Sequence, residues 1–175
     1  MRKLAVWLAV AGWLTAQVFA SSAQSTSGAG APCPTTEHSM DAHHTAVNMH
    51  GDEAMGFGHE KTTHRFFLAA GGGSIEVKAN DAHDSASIDA IRSHLNHIAQ
   101  MFASGDFSAP AFVHSTIPPG VTTMKLLKSR IEYKYEALDG GGRVRIESSD
   151  PVAVAAVHDF LRFQIIDHQT GDAQE

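Results

Sequence analysis

The chain reads as an α+β protein: two ββα units forming one four-stranded antiparallel sheet with two helices on one face. Three observations predict this. Period-two alternation occurs twice, each time broken by a glycine triplet, Gly71–Gly73 and Gly140–Gly142. A run with helical spacing follows each alternating pair. The triplets lie 69 positions apart, and at that offset Val77 falls on Ile146.

In the first unit, His64, Phe66 and Leu68 alternate with Thr63, Arg65 and Phe67. After the glycines, Ile75, Val77 and Ala79 alternate with Glu76 and Lys78. Asp81 to Ser85 supplies capping residues. Ile88, Ile91, Leu95, Ile98 and Phe102 then recur at helical spacing until Gly105 stops the helix. Ser108 to Gly120, with Pro110, Pro118 and Pro119, reads as a loop.

The second unit repeats the order. Ile131, Tyr133 and Tyr135 alternate with charged residues, and Val144 and Ile146 do so after the turn. Asp150-Pro151 is a cap followed by proline at the first helical position, where no amide partner is needed. A helix runs on through Val157, Phe160, Leu161 and Ile165 to His168 and ends at Gly171. Two unrelated hairpins would give the same alternation, and the fold class holds for either origin. One unit buries too little surface alone; four strands with two helices make a two-layer sandwich.

Ahead of this domain (62–171) stand two other segments. Residues 1–20 combine basic Arg2 and Lys3, an apolar run from Leu4 to Leu14 and small residues suited to cleavage. That pattern is a secretory signal peptide, too short for a membrane span. The expected location is therefore periplasmic or secreted, with no stable membrane anchor after cleavage. Residues 21–61 read as a disordered linker and a His/Met-rich segment, which Gly51, Gly56 and Gly58 should keep irregular. Lys and Arg total 13 against 19 Asp and Glu, and two of those cations lie in the leader. So acidic a chain lacks the clustered cations that reward binding to nucleic acid or anionic membrane. Cys33 is the only cysteine, which rules out an intrachain disulfide.

Histidine is the unusual component, at 12 residues. His38, His43, His44, His50, His59 and His64 come early, with Met40, Met49 and Met55 among them. Imidazole suits copper and zinc, and thioether favours Cu(I), so the expected ion is copper first and zinc second. On the first domain helix, His94, His97 and Met101 form one strip beside the apolar stripe. His64 shares its strand face with Phe66 and Leu68 and so points inward. A segment flexible around Gly51 and Gly58 could bring Met55 or His59, with His50 nearby, back onto that strip. The candidate ligands are thus His50, Met55, His59, His64, His94, His97 and Met101, with His114 a further one. The plain alternative is a His-rich tail plus histidines at the core edge. A protein-interaction module with incidental metal binding remains open, as does non-covalent haem; covalent haem needs Cys-x-x-Cys-His, which is absent.

No hydrolase elbow, zinc-protease pair or phosphate loop is present, so no catalytic residue is assigned. The runs Met55-Gly-Phe-Gly-His-Glu-Lys-Thr-Thr-His64, Ile91-Arg-Ser-His-Leu-Asn-His-Ile-Ala-Gln-Met-Phe102 and His158-Asp-Phe-Leu-Arg-Phe-Gln164 resemble a group of small exported bacterial proteins. The resemblance covers about Met49 to Gly171 and supports the domain boundaries. Some of that group carry the label aspartate carbamoyltransferase. That enzyme is a cytoplasmic two-domain protein with a Ser-Thr-Arg-Thr motif. This chain has no such run, about half the needed length and an export-type leader, so its residues do not support the activity.

Overall fold

A computed structural model describes residues 36–175, with side chains from Met40 onward; the leader lies outside the described residues. The first hairpin is β1 (Thr62–Ala69) and β2 (Gly72–Ala79); the second is β3 (Glu132–Leu138) and β4 (Gly141–Glu147). They join along β2 and β4, giving the antiparallel order β1-β2-β4-β3. Phe66 pairs with Ile75, Tyr135 with Val144, and Ile75 with Val144 across the centre. Each of these residues lies 69 positions from its counterpart in the other hairpin. A pseudo-two-fold axis therefore passes through the Ile75–Val144 pair, and the two ββα units share one strand register.

Helix α2 (Ser85–Ser104) is capped by Asp84, whose side chain accepts from the Ser87 amide, and ends on left-handed Gly105. Helix α5 (Pro151–Asp167) is capped by Asp150, which accepts from the Val152 and Ala153 amides. The helices cross over: α2 lies on β3 and β4, while α5 lies on β1 and β2. Each hairpin's apolar face is thus covered by the other unit's helix, so neither unit buries its core without its mate. Gly73 and Gly142, equivalent in the repeat, sit beneath Leu161 and Leu95. A Cβ on Gly73 would collide with the Phe67 carbonyl and the Leu161 side chain. The triplets therefore serve packing as well as turning.

Three further helices stand outside the two ββα units, two of them in segments expected to be irregular. Thr36–Met55 is helix α1, not an irregular segment, and it belongs to the same compact unit as the sheet. Its glycine at position 51 does not break it, because tertiary contacts offset the modest cost of a helical glycine. Val47 is buried, and α1 packs on α3 (Ser108–Val113). Helix α3 tolerates Pro110 because it falls in the first turn, whose amides have no helical partner. Helix α4 (Val121–Leu126) follows Gly120 and packs on α5. The sheet's outer face is polar. Arg143 bridges Glu76 and Glu136 there, and Arg145 bridges Glu136 and Glu147. Among the described residues no helix is long and apolar enough to cross a membrane.

Candidate functional site

The two halves of the duplicated frame are finished differently. The helix caps Asp84 and Asp150 lie 66 positions apart, and that offset aligns the buried faces of α2 and α5. Ile98 then corresponds to Gln164, and Phe102 to His168. On the strands, Tyr133 corresponds to His64. Around Phe102 the core is closed with rings: Phe107 stacks on it at 4.4 Å, and Tyr133 and Phe160 meet it edge-on at 5.9 and 5.8 Å. The equivalent region of the other half carries His64, Gln164 and His168, and a cavity of about 90 Å³ opens there.

This cavity lies between α2 and α5, over β1 and β2, with α1 and α3 closing it. Strand alternation turns His64 inward beside Phe66. His64 and His168 stack nearly parallel, with ring centroids 5.9 Å apart at 3°. Met55, the last residue of α1, brings its Sδ to 3.2 Å from His64 Nε2. His94 faces the same cavity from α2, its ring edge-on to Phe57 at 5.9 Å.

Burial keeps these imidazoles uncharged at neutral pH, since a charged ring loses hydration there. Burial, reinforced by repulsion from His94 and His59, pushes the His64 pKa down to about 4. His94 falls to about 4 through burial and nearby His97. His168 falls to about 3 through burial, then His64 and His114, despite the opposing pull of Asp167.

A second polar chain runs along the cavity wall. His114 is buried at the end of α3. Its Nδ1–H donates to Asp167 Oδ2 at 2.5 Å, and its Nε2 lies 3.0 Å from the Gln164 side-chain amide. Asp167 also accepts from His43 Nε2 at 2.7 Å, while its backbone carbonyl accepts from His44 Nδ1 at 3.2 Å. Burial alone would raise the Asp167 pKa; the bonds from His43 and His114 more than offset it and hold the carboxyl below its usual range. Two histidines of the His-rich segment thus dock α1 onto the end of α5.

Of the residues picked out by sequence, Met55, His64, His94 and His114 line one cavity. The others lie elsewhere. His97 is exposed, and Met101 packs against the core. His59 is held by Asp52, at 2.9 and 3.0 Å from its carboxylate oxygens. His50 leans on Phe112, with centroids 4.9 Å apart, and reaches the Val113 carbonyl at 3.4 Å. The helical strip therefore splits between cavity and solvent, because His97 lies round the α2 surface from His94. Sequence reasoning missed Gln164, Asp167 and His168. The helix repeat carries a signal for two of them, since Gln164 and His168 stand where the first unit has Ile98 and Phe102.

Chemically, the cavity offers neutral imidazoles, a thioether and one amide. No serine, threonine, cysteine or lysine of the described residues lines it. Among the described residues, no group of three or more His, Cys, Asp or Glu is placed to hold a metal ion. Comparison with protein-family models, curated proteins and solved structures gave no match.

Proposed function

We propose that the protein binds a transition metal, copper ahead of zinc, in the cavity at the Met55–His64 pair, for sequestration, delivery or sensing. One observation carries the reading: a thioether and an imidazole lie 3.2 Å apart beside further uncharged imidazoles. Thioether is a soft ligand that selects Cu(I). A monovalent ion also suits a pocket of neutral donors better than Zn²⁺, whose larger charge is costlier to bury without counter-charge. Rings held in the neutral form need lose no proton before they ligate. The cavity, at about 90 Å³, favours an ion over haem, because pockets for larger organic ligands start near 300 Å³. The leader-like first twenty residues support export, so the ion would be met outside the cytoplasm.

The test is an anaerobic competition titration of tag-free protein against a chromogenic Cu(I) chelator. One tight Cu(I) per chain is expected, with the affinity of the Met55→Leu, His64→Tyr double variant at least tenfold weaker. Several weak ions, or the same affinity in the double variant, would sink the reading. The mass of exported protein would check leader removal.

A further inference from the structure

The two edges of the sheet are finished differently. The Ala79 amide donates to the Gly140 carbonyl at 2.9 Å, extending the β2–β4 register in which Val77 faces Gly142 and Ile75 faces Val144. Bonded and non-bonded pairs alternate along an antiparallel ladder, so Gly142 and Val144 bond to β2, while Arg143, Arg145 and Glu147 bond to β3. On β3, Glu132, Lys134 and Glu136 therefore spend their backbone groups on β4, and Tyr133, Tyr135 and Ala137 point theirs out of the sheet edge. The same alternation turns the Phe66 amide out of the β1 edge, where the Asp172 carboxylate accepts from it at 2.8 Å. The segment after α5 thus occupies the edge of β1. Among the described residues β3 packs chiefly on β4 and α2, and no hydrogen bond closes its edge. Such an open row of N–H and C=O groups is a template for another strand.

The charges on the outer face select that strand. Lys134 makes no ion pair among the described residues and stands opposite Arg145 of β4, a like charge. Glu136 lies two positions along the same face. We infer that the β3 edge binds a second copy of this chain, the two β3 strands pairing antiparallel about Tyr135 and joining two four-stranded sheets into one. In that register Tyr135 faces its own copy and Tyr133 faces Ala137, so the outward backbone groups form about six hydrogen bonds. Lys134 faces Glu136 of the other copy at both ends, which gives the lysine the carboxylate it lacks. Centring on Lys134 or Glu136 would set like charges against each other, and centring on Tyr133 would leave the end of β3 unpaired. Only Tyr135, the midpoint of Glu132–Leu138, uses the whole strand with opposite charges opposed.

None of the metal ligands takes part, so the test uses chelator-treated, tag-free protein, and its outcome is separate from that of the copper titration. Sedimentation equilibrium across micromolar concentrations should show a reversible dimer. Lys134→Glu sets acid against acid at both ends and should weaken association about tenfold or more. Glu136→Lys sets base against base with the same effect. An equimolar mixture of the two variants restores opposite charges in every pair and should dimerise again. Ala137→Pro removes an amide that makes no bond within the chain and should be monomeric. A monomer throughout, a dimer unaffected by Lys134→Glu or Ala137→Pro, or a mixture that stays monomeric would overturn the assignment. Should Glu136→Lys not fold, having lost its bridges to Arg143 and Arg145, the Lys134→Glu and Ala137→Pro results decide.

Discussion

Lowering the pH from 7 to 5 should destabilise this fold more than an ordinary surface set of histidines would allow. The folded pKa values of His64, His94 and His168 lie near 4, 4 and 3, whereas an unfolded histidine titrates near 6.5. Between those limits the unfolded chain binds protons that the folded one does not, so stability rises with pH. The contribution is fully present above about 6.5 and is lost as pH falls toward the folded values. At pH 5 each ring stays nearly unprotonated in the native state but almost fully protonated when unfolded. Integration of the linkage relation gives about 2 kcal/mol per histidine over this range, and roughly 4 to 6 kcal/mol for the three. That is a large share of a typical domain's 5–15 kcal/mol. Urea unfolding followed by circular dichroism at half-unit pH steps would measure it. In His168→Phe, the residue of the equivalent position on α2, the dependence should shrink by about a third. A midpoint flat between pH 7 and 5, or an unaltered slope in the variant, would refute the claim that these half-buried rings are held neutral.

Other expectations follow from packing and anchoring. Gly73→Ala should cost about 1–3 kcal/mol, since the new methyl meets backbone at Phe67 as well as Leu161. Gly142→Ala should be close to neutral: its methyl crowds the Tyr135 and Leu95 side chains, at 3.0 and 3.2 Å, which can yield, and meets the Glu136 carbonyl at an ordinary 3.5 Å. Thermal melts of the pair would decide, and equal losses would contradict the asymmetry. Asp167→Asn keeps the shape but weakens the hold on His43 and His114. A loss of about 1–3 kcal/mol is expected, together with faster proteolysis within α1; unchanged cleavage would mean that those histidines do not dock the helix.

The sheet and its two main helices were legible because their signals are local. Alternation around the glycine triplets placed the strands, and Asp84, Asp150 and Gly105 bounded the helices. Helix α1 was not legible. Its sequence has little apolar stripe, and its anchors are polar, with His43 and His44 reaching residues more than a hundred positions away. Helix α3 was hidden because Pro110 reads as a breaker unless its place in the first turn is known. At the site, the inward turn of His64 follows from strand period alone. The parting of His94 from His97 does not, because both lie on one flank of α2 and only the packed neighbours decide which is covered. Gln164 and His168 were within reach: comparing the helices at the 66-residue offset of their caps, rather than the strand offset of 69, exposes both substitutions.

The most direct test of the central claim, that Met55 and inward-facing imidazole hold one soft ion, is X-ray absorption at the copper edge on Cu(I)-loaded protein. The account predicts a sulfur neighbour together with nitrogen neighbours, and loss of the sulfur in Met55→Leu. A shell of nitrogen and oxygen alone in the native protein, or a sulfur signal that persists in that variant, would contradict it.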